Sequence, residues 1–145
     1  MEPVIREGET YALDRDLSQA DALAYWMNPA AWCFVAEDQE DGAIVGTYYL
    51  RRNQTGGGSH VCNCGYMVAP EARGRGVAQR MAAHSLEEAR RRGFRAMQFN
   101  FVIATNSTAI RLWHSLGFET VGRLPEAFES PSRGLTDALV MFRRV

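Results

Sequence analysis

With 145 residues and 46% apolar side chains, the chain has material for one domain with a sizeable core, expected to run over 1–145. Sixteen Lys and Arg against seventeen Asp and Glu leave a net charge of −1, which gives a nucleic-acid partner no overall electrostatic support. No stretch approaches a membrane span, no cationic start leads into an apolar run, and three cysteines are an odd number in a chain needing no staple. The expectation is a cytoplasmic protein with no membrane partner.

In chain order, Ser18 to Asn28 reads as a short helix capped near Ser18 and Asp21 and stopped by Pro29, with Ala20, Leu23, Ala24 and Met27 as its apolar stripe. Trp32–Glu37 and Ala43–Leu50 read as strands around the turn residues Asp41 and Gly42. Arg51 to Ser59, with three consecutive glycines, is a loose loop, and a third strand follows over His60–Val68. Cys62 and Cys64 share one face of it and Asn63 points the other way. As a metal site Cys-x-Cys is weak, because His60 is the only further ligand nearby; the thiols are expected to be buried.

Val68 to Ala78 reads V-A-P-E-A-R-G-R-G-V-A and is the most informative run. It joins a strand end to a helix start through a turn in which Gly74 and Gly76 let the backbone bend and present its N–H groups. The helix adds its positive end, and Arg73 and Arg75 add charge on either side. A P-loop needs Lys followed by Ser or Thr, where Val77 and Ala78 stand. A dinucleotide fingerprint needs a third small residue and an acidic group about twenty positions on, whereas Glu87 and Glu88 come too early. What fits is a diphosphate-bearing ligand held by backbone.

The helix after the loop carries Val77, Ala78, Met81, Ala82, Leu86 and Ala89 on one face and Gln79, Arg80, Glu87, Glu88, Arg91 and Arg92 on the wetter side, with Glu87–Arg91 and Glu88–Arg92 spaced for pairing. Gly93 ends it. His84 lies two turns from the loop and reads as exposed or partly packed, and Arg90 to Arg92 suit a helix C-terminus better than a nucleic acid. Arg95–Ile103 is a strand with Met97, Phe99 and Phe101 on one face. Asn106 or Ser107 starts a helix through Trp113 and Leu116 that Gly117 closes. Phe118–Arg123 and Leu135–Arg143 are the last strands, joined by a loop carrying Pro125, Pro131 and Gly134.

Two blocks now carry a resemblance: R-G-R-G-V-A at Arg73–Ala78 and N-S-T-A-I-R-L-W-H-S-L-G-F at Asn106–Phe118. In this order and spacing the chain resembles the GCN5-related N-acetyltransferase superfamily over almost its whole length. The resemblance implies an α/β (α+β) fold in which the mixed sheet's fourth and fifth strands splay around acetyl-CoA; here those strands are His60–Val68 and Arg95–Ile103. It implies that main chain around Met67 and Val68 pairs with the pantetheine arm, that Arg73, Gly74, Arg75, Gly76, Val77 and Ala78 hold the pyrophosphate, and that Asn106 and Trp113 contact the cofactor. Asn106 read by itself is a helix cap. The implied reaction is N-acetylation of a small-molecule amine by direct attack, with protein N-terminal or lysine acetylation, or a non-catalytic acyl-CoA-binding module, as alternatives. Related proteins often form homodimers, and the apolar last strand is a candidate surface for one.

One departure stands out: many members have tyrosine where this chain has Trp113, whose indole N–H is not an acid at useful pH. The runs at His60–Val68 and Phe99–Asn106 look like a branch of the superfamily, the yeast acetyltransferases of azetidine-2-carboxylate and other proline analogues, which also lack that tyrosine. The branch implies catalytic roles for Asn63 and Asn100, whose amides can orient an acceptor and polarise a thioester oxygen. Trp26, Trp32, Tyr48 and Phe128 are candidate pocket walls. Glu126, Glu129 and Asp137 are the acidic groups available should the acceptor be cationic.

Overall fold

A computed structural model describes residues 1–145. Six strands form one sheet in the order β1-β2-β3-β4-β6-β5, comprising β1 (Ala31–Glu37), β2 (Ile44–Arg52), β3 (Val61–Val68), β4 (Ala96–Ile103), β5 (Glu119–Ser130) and β6 (Gly134–Arg144). Every neighbouring pair is antiparallel except β3 with β4, which run parallel and match at only two positions, Val61 with Ala96 and Cys62 with Met97. Beyond Cys62 the two strands part. This is the mixed, helix-flanked α/β fold with splayed central strands that the sequence implied.

Four helices accompany the sheet: α1 (Glu2–Glu7), α2 (Gln19–Trp26), α3 (Val77–Arg91) and α4 (Ser107–Ser115). The main core lies where α3 and α4 cover one face, packing Val77, Met81, Leu86 and Trp113 against Leu50, Cys62, Met97 and Phe99. A smaller core on the other face joins Val4 and Ile5 of α1 and Ala22 and Trp26 of α2 to Tyr49 and Met67. Ser18 caps α2 by accepting from the Asp21 N–H at 3.1 Å. The inward face of α2 is Ala22 and Trp26, while Leu23 and Met27 of the expected stripe stand 41% and 61% exposed. Trp26 decides the matter, because its large apolar surface outweighs the smaller side chains and its indole N–H finds Thr47 Oγ1 at 3.0 Å.

Further departures have local causes. Gly56–Gly58 form a short 3-10 turn within the glycine loop. Glu88 is buried, because Arg91 and Arg92 both close on its carboxylate at 2.9 and 3.0 Å; Glu87 and Arg91 do not pair. A register shift between Phe99 and Val102 puts Val102 into the main core and turns Phe101 towards Phe128, so Phe101 leaves the face of Met97 and Phe99. The expected loop after Arg123 is mostly strand: β5 continues to Ser130 through an irregularity between Leu124 and Phe128, where Glu126 takes φ 48°.

Candidate active site

The cleft opened by the fork of β3 and β4 has a volume of about 890 Å³ and reaches both faces of the sheet. Asn63, Asn100, Met67, Val68, Arg73, Gly74, Gly76, Val77, Ala78, Asn106 and Trp113 all border it; Arg75 does not.

At one end stands the glycine turn. Gly74 and Gly76 adopt φ of 78° and 75°, left-handed conformations that an L side chain resists. The Arg75 N–H returns to the Ala72 carbonyl at 3.3 Å, whereas the N–H groups of Gly74, Gly76, Val77 and Ala78 donate to no protein acceptor. Four free donors at the start of a 15-residue helix, with no Cβ filling the concavity at Gly74, fit the diphosphate of a coenzyme A thioester. Both flanking arginines are already partnered, Arg73 with Glu7 at 2.8 Å and Arg75 with Asp38 at 2.6 Å. They bracket the turn as ion pairs and present little uncompensated charge to it.

The floor is the open edge of β3. Ala69 donates to the Val45 carbonyl, which fixes the alternation along β2 and β3: Gly65 and Met67 turn their backbone groups to β2, and Cys64, Tyr66 and Val68 turn theirs into the fork. One of these is taken, since the Tyr11 hydroxyl donates to the Tyr66 carbonyl at 2.8 Å. Asn106 caps α4 by accepting from the Ala109 N–H at 3.1 Å and, half-buried, also lines the cleft. Trp113 is 8% exposed and packs on Phe99 and Tyr66, with centroids at 4.8 and 5.0 Å.

At the fork itself Asn63 is buried. Its amide nitrogen donates to the Gln98 carbonyl at 2.9 Å, and its oxygen accepts from the Tyr49 hydroxyl at 3.4 Å. Asn100 is exposed, donating to Asn53 Oδ1 at 2.7 Å and accepting from Gln98 Nε2 at 2.9 Å. Each amide nitrogen keeps one hydrogen uncommitted.

The expected walls are not the observed ones. Trp26 and Tyr48 are spent in the two cores, Trp32 stands beside Phe94 and Arg92 away from the fork, and Phe128 is buried behind Phe101. Tyr11, Tyr25, Tyr49 and Phe101 line the cleft instead. None of Glu126, Glu129 and Asp137 reaches the cleft; Asp137 pairs with Arg123 and accepts from the Glu126 N–H. Cys62 and Cys64 are buried thiols pushed upwards by burial, Cys62 to about 12. His84 is exposed and shares a hydrogen bond with the Tyr48 hydroxyl at 2.6 Å. No helix is long and apolar enough to cross a membrane.

The acetyltransferase (GNAT) family model matches residues 4–118. The chain belongs to that family. As a GNAT acetyltransferase it is most informatively compared with a GCN5-related N-acetyltransferase of Kribbella flavida, 41% identical, whose structure superposes with a TM-score of 0.94 over 99% of this chain and 87% of that one. The N-acetyltransferase aca1 of Schizosaccharomyces pombe is 31% identical over 137 residues, which cover 85% of this chain and 66% of the yeast protein; the chain thus spans just under two thirds of that relative's length. The fold of yncA of Salmonella typhimurium, solved with its cofactor acetyl-CoA, is shared at a TM-score of 0.84 and 22% identity, over 99% of this chain and 83% of that one.

Proposed function

We propose that this GNAT acetyltransferase moves the acetyl group of acetyl-CoA onto the amine of a small molecule of the amino-acid or proline-analogue class, by direct attack. The observation that carries this reading is the fork: an unpaired strand edge, a four-donor turn at one end and two asparagine amides at the other, all on one cleft. The turn at Gly74–Ala78 receives the pyrophosphate, and the fork-facing groups of Cys64 and Val68 receive the pantetheine arm as a missing strand would. The thioester supplies an activated acyl group with a thiolate leaving group. Asn100 donates to the developing oxyanion, and Asn63 orients the attacking amine. The neutral amine forms the new C–N bond, the C–S bond breaks, and the proton released by nitrogen passes to thiolate or water. Trp113 packs and positions without transferring a proton.

A cleft of about 890 Å³ suits a cofactor arm and a small acceptor better than a polypeptide. Its acceptor side is aromatic and not acidic, which disfavours a polycation. The test is to incubate the protein with acetyl-CoA and a panel of amines and to measure free coenzyme A. Release in proportion to an added acceptor supports transfer. Stoichiometric binding of acetyl-CoA without release for any amine, amino acid or peptide favours a non-catalytic binding module.

A further inference from the structure

Arg51 is the one charged side chain of the cleft without a charged partner. The other two that line it, Glu7 and Arg73, are paired with each other. The Arg51 guanidinium makes no ion pair, and no hydrogen bond joins it to any protein group; it rests over the rings of Tyr49, at 4.6 Å, and Tyr25, at 5.5 Å. Those rings, set at 89° to each other, take the cation over their faces and leave its N–H donors without a protein acceptor. The platform is rigid. Tyr49 lies across Gly65, where an added Cβ would stand 2.6 Å from the ring, and meets Trp26 edge-on at 4.8 Å.

Position decides what this cation serves. Arg51 is the register partner of Asn63, at the closed end where the fork begins, while the pyrophosphate turn follows Val68, five residues further along β3 and therefore roughly 16 Å away. Arg51 is too distant to neutralise the diphosphate, and it stands beside Asn63, the residue that the acetyl-transfer reading gives to the acceptor. A cation here repels a polyamine and attracts an anion. It can also engage both oxygens of a planar carboxylate. We infer that Arg51, held over the rings of Tyr49 and Tyr25, binds the carboxylate of the acceptor, so that the acceptor class is an α-amino acid whose amine is thereby set at the fork beside Asn63. The inference rests on the acetyl-transfer reading above and adds to it the group that selects the substrate.

The test compares matched acceptors with and without the carboxylate, such as L-proline with pyrrolidine and L-leucine with isopentylamine, in the wild-type protein and in Arg51→Gln and Arg51→Lys. The wild type is expected to favour the carboxylates. Arg51→Gln should raise their KM by about ten- to a hundredfold, leave the affinity for acetyl-CoA unchanged and abolish the preference, with Arg51→Lys in between because it keeps charge but loses the two-pronged contact. Equal KM values for carboxylates in wild type and Arg51→Gln, or wild-type turnover confined to amines or peptides without a nearby carboxylate, would overturn the role of Arg51 and leave acetyl transfer standing. Should no acceptor be turned over, the acetyl-transfer reading fails, and titration of L-proline and L-leucine onto the coenzyme A complex then decides the point. Binding lost in Arg51→Gln supports a carboxylate site, and equal or absent binding overturns it. A Tm within a few degrees of wild type in either variant excludes unfolding as the cause.

Discussion

The Asn63 amide donates to the Gln98 carbonyl at 2.9 Å across the point where β3 and β4 part. A side chain thus completes the ladder that the backbone abandons after Cys62. Asn63→Ala removes this link and strands a half-buried carbonyl, which costs about 1–3 kcal/mol. A thermal melt should show the loss as a fall of about 3 °C per kcal/mol. In kinetics the same variant should mainly raise the acceptor KM, and an unchanged melt with unchanged KM would remove Asn63 from both roles.

Asn100 is free of the core and bonded only to the side chains of Asn53 and Gln98. Asn100→Ala should therefore leave the melt within about 1 °C while lowering kcat roughly a hundredfold, the loss of one oxyanion donor of about 3 kcal/mol. Isothermal titration with acetyl-CoA should give the wild-type affinity. Near-normal turnover in the Asn63, Asn100 double alanine variant would defeat the assignment.

Gly76 caps α3 at φ 75° and its N–H belongs to the free set of the turn. A valine there must either leave the left-handed region or carry strain of about 1–3 kcal/mol, and in both cases the donors lose their common direction. Gly76→Val should weaken acetyl-CoA binding by at least tenfold. Arg73→Ala and Arg75→Ala should each cost under threefold, since their charges are answered by Glu7 and Asp38. Titration of the folded variants checks both statements.

No histidine lines the cleft, its carboxylate Glu7 is tied to Arg73, and burial holds the Tyr11 and Tyr66 hydroxyls far above neutrality. The rate should then rise with pH as the acceptor amine loses its proton and level off at that amine's own pKa. The inflection should move when the acceptor is changed. Trp113→Phe should keep most of the activity and leave the profile's shape intact. The hydrogen bond from Arg75 lowers the pKa of Asp38, so that pair is intact above about pH 4 and is lost only as pH falls through the depressed value. An inflection fixed near pH 7 for every acceptor would point to a protein base that the cleft does not show.

The parts of this molecule that rest on local rules could be read from the residues. The glycine turn, α3, the fork-forming strands and the Asn106 cap each carry their signal within a few positions. What escaped depends on partners distant in sequence. Glu2–Glu7 has no capping side chain and holds through Val4 and Ile5 packing against Trp26 and Tyr49. Glu88 looks like a wet helical position until two arginines bury it. Phe101 obeys strand alternation until an extra residue in β4 reverses it. Arg51 sat in what read as a loop, and Tyr11 and Gly65 belong to no motif; only the register of β2 on β3 and the return of the N-terminal segment bring them to the site.

The two-position contact between β3 and β4 also bears on how the molecule holds together. Strands β1 to β3 form one antiparallel meander and β4, β6 and β5 a second antiparallel unit, and between β3 and β4 the backbone joins them only at the closed end, through the Arg95 N–H to the His60 carbonyl and the Val61–Ala96 and Cys62–Met97 pairs, with α3 spanning the gap. Under the proposed binding mode, a cofactor arm lying in the fork as a surrogate strand would extend the hydrogen bonding between the two units past Cys62. Cofactor occupancy and global stability are thereby linked: each tenfold rise of free ligand above its Kd adds about 1.4 kcal/mol to the folded state. With acetyl-CoA bound as proposed, hydrogen exchange at the Cys64 and Val68 amides should slow relative to the free protein.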